Sequence, residues 1–168
     1  MSLQNKTDIF LSVIQTHKGI IYKVANSYCR DAEDRKDLVQ EIMIQLWRSF
    51  DNYNDEYKYT TWMYRIALNT AISFYRKESL RDRSSEELPE DILDLIDKTE
   101  SAQDENINIL LQFIHELKEL DKALMLLYLE EKSHKEIAAI LGITETNVAT
   151  KIGRIKNILK QKFSNIQN

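Results

Sequence analysis

Apolar residues return every three or four positions along most of this chain, the period of an α-helix with one buried face. From Asp8 to Cys29 the positions Phe10, Val13, Ile14, Ile20, Ile21, Val24 and Tyr28 predict one long helix, and Asp31 and Asp34 supply a cap and first-turn charge for another. That second helix, about Glu33 to Phe50, turns Leu38, Ile42 and Leu46 inward at steps of four and leaves Asp37, Gln40, Glu41, Gln45 and Arg48 on other faces. The pattern breaks from Asp51 to Tyr59, where Asn52, Asn54 and the tyrosines Tyr53, Tyr57 and Tyr59 predict a loop. A third helix, about Thr61 to Lys77, has Met63, Ile66, Ala67, Thr70 and Phe74 as its expected inner stripe.

The last third carries the pattern of a helix-turn-helix. Ile137, Ala138 and Leu141 offer one short helix to a core, Gly142 can take the left-handed conformation that ends it, and Thr144 can cap the next. In the helix that follows, Val148, Ile152, Ile155 and Leu159 form an inner stripe, opposite Thr146, Thr150, Gly153 and Asn157. Small polar groups suit a major groove, and Lys151, Arg154, Lys156, Lys160 and Lys162 flank them where phosphates would lie. The same spacing occurs in ordinary helical hairpins, and late basic residues also complement a helix dipole, so the pattern alone leaves both readings open.

Three Gly and one Pro in 168 residues, with 43% apolar composition, point to an all-α protein with packed cores. The single cysteine, Cys29, excludes an internal disulfide and a multi-cysteine zinc site; on an apolar helix face it is expected to be a buried, inert thiol in a reducing compartment. No apolar run reaches the length of a membrane span and no charged-then-apolar segment opens the chain, so a soluble, cytoplasmic protein without membrane insertion is expected.

A net charge of −4 sits badly with DNA binding until it is divided along the chain. Residues 1–76 hold ten Lys and Arg against nine Asp and Glu, residues 77–108 four against eleven, and residues 109–168 nine against seven, or +1, −7 and +2. The acidity is therefore central. This stretch holds the only proline, Pro89, and an acidic and apolar alternation from Glu90 to Asp97; it reads as a linker with one short helix near Asp91 to Ile96.

The third helix carries a second stripe. Trp62, Arg65, Asn69, Ser73 and Arg76 align on a separate side of the helix from the expected inner stripe, by the ~100° step per residue. Aromatic faces stack on unpaired bases, amides bond base edges and guanidinium groups meet phosphate, so the mixture suits single-stranded nucleic acid. A tryptophan partly buried at a helix junction explains it equally from spacing alone, and solvation alone explains the polar faces of the second helix.

Asp37-Leu38-Val39-Gln40-Glu41 with Leu46-Trp47, then Thr61-Trp62-Met63-Tyr64-Arg65-Ile66-Ala67-Leu68-Asn69-Thr70-Ala71, then Lys135-Glu136-Ile137-Ala138 in the helix-turn-helix, resemble in order the blocks of the bacterial extracytoplasmic-function sigma factors, the smallest class of the sigma-70 family. The resemblance covers about residues 5–80 and 105–163 and implies two small helical domains, region 2 over residues 1–80 and region 4 over 105–168, joined by a flexible acidic linker at 81–104. It implies a promoter-specificity subunit of RNA polymerase with no active site, metal or cofactor of its own. Core RNA polymerase and promoter DNA are the implied partners, and an anti-sigma factor is expected as well. Carried over residue by residue, the resemblance implies polymerase contact through Asp37, Gln40, Glu41, Met43 and Trp47, and −10 capture and melting through Trp62, Arg65, Asn69 and Arg76 with Tyr57 and Tyr59. It places Ala149, Thr150, Gly153 and Arg154 at DNA-facing positions for the −35 element, with Thr146 and Lys151 beside them. Gly153 and Ala149 depart from larger or polar residues in relatives, Asp121 stands where proline is common, and Glu131-Lys132 replaces a common glycine before the helix-turn-helix.

Two other classes compete. A helix-turn-helix regulator with an unrelated sensor domain explains the C-terminal half but gives no reason for the Asp37 to Glu41 and Trp62 to Asn69 blocks, and no dimer interface is identifiable. An enzyme would have to use His17, His115 or His134; none is paired at metal-ligand spacing, and His134 and Glu136, two apart on a helix, cannot face one pocket.

Overall fold

A computed structural model of the protein describes residues 2–76 and 112–167. The acidic linker and the short helix expected near Asp91 to Ile96 lie outside them. The chain divides into two compact units between Ala102 and Gln103, and the described residues are helical with no strand.

In the N-terminal unit, helix α1 (Leu3–Tyr28) is capped by Ser2, whose hydroxyl accepts from the Asn5 N–H at 3.2 Å. Every apolar residue expected on its inner face is buried. The helix begins earlier than its apolar pattern, and it is not straight: His17 leaves helical geometry at φ −121° and ψ 19°. Beside the bend the Thr16 hydroxyl donates back to the Ser12 carbonyl at 2.9 Å, and Gly19 follows, both features that loosen a helix. Asp31 caps α2 (Ala32–Ser49), its carboxylate accepting from the Asp34 N–H at 3.2 Å. A 3-10 turn, Phe50–Asn52, leads through a short loop to α3 (Tyr59–Arg76), and the three helices pack on one another around a common core.

The C-terminal unit contains α4 (Glu119–Leu129), α5 (His134–Leu141) and α6 (Glu145–Gln167). Ser133 and Glu136 form a reciprocal capping box at the start of α5. Gly142 ends that helix at φ 70° and ψ 33°, where its N–H and that of Ile143 both donate to the Ala138 carbonyl. The Thr144 hydroxyl then accepts from the Asn147 N–H at 3.1 Å, so α6 starts where its sequence marks it. Val148, Ile152, Ile155 and Leu159 are buried against α4 and α5. A turn with a different cost closes α4: Glu131 sits at φ 60°, donating to the Tyr128 carbonyl, a left-handed position that glycine fills without strain.

Candidate nucleic-acid and polymerase interfaces

Helix α3 turns a different face inward from the one its sequence predicts. Met63 and Ala67 are buried as expected, but Tyr64, Leu68 and Ala71 join them, while Ile66, Thr70 and Phe74 are only half-buried. The core stripe is thus rotated by roughly 80° at the 100° step per residue, which leaves the polar stripe more squarely opposite. Asn69, Ser73 and Arg76 are exposed there, and Arg65 is half-buried. Trp62 is half-buried too, with its ring in a cluster: centroids lie 6.1 Å from Phe50, 5.4 Å from Tyr53 and 6.3 Å from Tyr59. Its packing is that of a helix junction partly open to solvent.

The loop before α3 is built from tyrosines. Tyr53 stacks on Tyr59 with centroids 4.3 Å apart and rings 19° from parallel, and its hydroxyl donates to the Tyr57 carbonyl at 2.6 Å. The Arg65 guanidinium lies 4.9 Å from the centroid of the exposed Tyr57 ring, a cation–π contact that brings loop and helix stripe together. Burial first, and then Tyr59 and Asp55, hold the Tyr53 phenol above its usual 10.0, so it remains a protonated donor at neutral pH.

Helix α2 offers a narrower surface than expected. Asp37, Gln40 and Glu41 are accessible, with the Gln45 amide donating to Glu41 at 3.0 Å. Met43 and Trp47, expected at a protein interface, are core residues, 2% and 6% exposed. Trp47 meets the Phe10 ring edge-on at 5.3 Å and is covered by the Lys6 ammonium 4.0 Å from its centroid, which Asp51 pairs at 3.0 Å. A helix in contact with both α1 and α3 buries more than the single stripe that its strictest spacing marks.

On α6 the expected groove-facing residues Thr146, Ala149, Thr150, Gly153 and Arg154 are all exposed, and Lys151 is half-buried. A Cβ added at Gly153 would meet no atom within 4 Å, so the outer face is open there. The basic flank is partly engaged within the unit. Lys156 lies 4.1 Å over the Tyr128 ring, Lys162 pairs with Glu116 beside Phe113, and Arg154 Nη2 reaches Asp121 Oδ1 at 3.9 Å. Lys160 is exposed on the same helix.

Residues 13–81 match the family model for Sigma-70 region 2, and residues 107–159 match that for Sigma-70, region 4. The ECF RNA polymerase sigma-E factor of Haemophilus influenzae is 31% identical over 141 residues, spanning 77% of this chain and 75% of that protein. The chain belongs to the extracytoplasmic-function sigma factors of the sigma-70 family. The ECF sigma factor SigM of Bacillus subtilis is 26% identical over 153 residues, covering 90% of the sigma factor described here and 93% of SigM. Among solved structures, CnrH in complex with the cytosolic domain of CnrY shares the fold at a TM-score of 0.65 and 20% identity, covering 94% of this chain and 89% of that one. The sigma factor RpoE in complex with the anti-sigma factor NepR from Bartonella quintana does so at 0.65 and 16%, covering 96% and 98%. As a sigma factor the protein is a specificity subunit of RNA polymerase acting in transcription initiation, not an enzyme, and its C-terminal unit is the family's DNA-binding helix-turn-helix. Among the described residues no helix is long and apolar enough to cross a membrane.

Sequence spacing missed three features of the sigma factor's surfaces. Tyr53 reads from spacing only as a loop residue, although aromatics at 53, 57 and 59 are the signal for a ring cluster. Asp121 stands out in the sequence only as a departure from proline, yet it faces Arg154. Tyr128, the platform for Lys156, carried no signal at all, because pairing across helices cannot be read from one helix.

Proposed function

We propose that this sigma factor docks on core RNA polymerase through α2, captures and melts the −10 element with α3 and the loop before it, and reads the −35 element with α6. The assignment gives residues 1–80 to region 2, 81–104 to the linker and 105–168 to region 4. The observation that carries it is the outer stripe of α3: half-buried Arg65 against the Tyr57 ring, then exposed Asn69 and Arg76, opposite a face wholly buried in the core. Such a stripe can stack an unpaired base at the loop end, bond its edge through the Asn69 amide and hold the strand through its cations. Extruding a base costs a few kcal/mol, which stacking at about 1–3 kcal/mol per base offsets, so opening needs no nucleotide hydrolysis. Trp62, half-buried in the ring cluster, contributes only the part of its ring left accessible.

Polymerase contact rests on Asp37, Gln40 and Glu41, whose charges orient the docked surface. At the −35 element Arg154 and Thr150 are the side chains able to bond base edges, Thr146 and Lys151 sit beside them, and Ala149 and Gly153 let the backbone approach closely. The protein works in the cytoplasm, where polymerase is. An anti-sigma factor is its expected inhibitor, since RpoE was solved with its anti-sigma factor NepR. Transcription with purified core polymerase and a promoter library tests the reading: enriched templates should share two conserved blocks at fixed spacing, and transcription without sequence preference would sink it.

A further inference from the structure

The Tyr53 hydroxyl has no part in the packing of the core. Its ring is half-exposed, and the stack on Tyr59 and the contact with Trp62 at 5.4 Å need only an aromatic ring, which phenylalanine would supply. What the hydroxyl adds is one bond, to the Tyr57 carbonyl at 2.6 Å. That bond closes a ring of five residues, 53–57, whose interior has little else to fix it: Asp55 sits at φ 42°, and the Glu56 N–H donates to the carbonyl and side-chain oxygens of Asn54. The two ends of the ring differ. Tyr53 is anchored, with its N–H on the Phe50 carbonyl at 3.2 Å and its ring in the aromatic cluster, whereas Tyr57 is 40% exposed and touches α3 through the Arg65 guanidinium.

We infer that Tyr53 is a positioning residue for −10 capture: its anchored ring and its hydroxyl bond to the Tyr57 carbonyl preset the Tyr57–Arg65 pair to receive an unpaired base. The inference rests on the α3 reading above and adds a residue outside the set carried over from the family. Its physical basis is preorganisation. An exposed tyrosine at the tip of a loop loses backbone and rotamer freedom when a base stacks on it, and a loop already closed by a phenol bond has lost part of that freedom beforehand. A hydroxyl bond at the surface contributes little to global stability, so capture and folding separate cleanly in Tyr53→Phe, which keeps the stack and deletes the latch.

The test uses holoenzyme assembled from core polymerase and the full chain, titrated with fluorescent single strands carrying either the preferred −10 sequence from the library or a scrambled one. For Tyr53→Phe the melting temperature, core affinity and −35 duplex binding should match the parent, while affinity for the preferred strand falls about two- to tenfold and the ratio between strands shrinks. Tyr53→Leu, which also loses the stack, should lose more, and Asn69→Ala serves as the control for the capture surface itself. Parental capture and discrimination in Tyr53→Phe, with loss in Asn69→Ala, would overturn the latch and leave the −10 reading standing. An equal loss on both strands, or a lowered melting temperature with unchanged capture per folded molecule, would likewise make the hydroxyl a structural detail. A parent holoenzyme that does not distinguish the strands would overturn the −10 reading and the latch together.

Discussion

Arg154 Nη2 lies 3.9 Å from Asp121 Oδ1, joining the outer face of α6 to the first turn of α4. At that distance the pair is a Coulombic contact and not a hydrogen bond. The arginine side chain is 60% exposed against 15% for the aspartate, so solvent screens the attraction and the guanidinium can leave for DNA. The carboxylate biases where the arginine waits without holding it.

Replacing Arg154 with Ala should therefore cost about 1–3 kcal/mol in −35 duplex binding, with preference relaxed at one base pair. A uniform loss over all sequences with a shallower salt dependence would make it a phosphate contact. Asp121→Asn should strengthen binding, most at low salt, because a negative charge beside the duplex disappears. Duplex titrations at several salt concentrations measure both variants.

Charge reversal at Glu41 should weaken core polymerase binding while the N-terminal unit stays folded. Glu41 is half-buried and accepts from the Gln45 amide, so Glu41→Lys loses one part-buried hydrogen bond, of the order of 0.5–1.5 kcal/mol. Unchanged affinity in a core titration would remove α2's polar face from the interface.

Asn69 is exposed on the face of α3 opposite Tyr64, Leu68 and Ala71, and Asn69→Ala should leave stability within roughly 0.5 kcal/mol of the parent. Open-complex formation should fall while −35 duplex binding survives. A template already unpaired over the −10 region should rescue initiation only in part, since unpairing removes the opening cost but not the lost amide bonds. A markedly lower melting temperature with normal transcription per folded molecule would make Asn69 structural.

Glu131→Gly should raise the stability of the C-terminal unit. The residue holds φ 60°, which costs an L side chain roughly 1–2 kcal/mol, and the greater freedom of glycine in the unfolded chain returns part of that, leaving a gain of about 0.5–1 kcal/mol. Denaturant unfolding of the full chain, followed by a probe in the C-terminal unit, measures it; a loss of stability would show that the left-handed turn is not strained by its side chain.

Local signals in the sequence determined most of the architecture, because they act within a few residues. Asp31, Thr144 and Gly142 satisfy backbone groups of their own turns, and each marks a boundary where its chemistry places it. The inner stripes of α1 and α6 were equally legible, since a helix facing one core has one apolar stripe. Neighbours decided the rest. Helix α2 touches both α1 and α3, which draws Met43 and Trp47 inside, and α3 rotates its core face toward Tyr64, Leu68 and Ala71. The Lys156–Tyr128 contact and the Asp121–Arg154 contact each join groups on different helices, so only packing could bring them together.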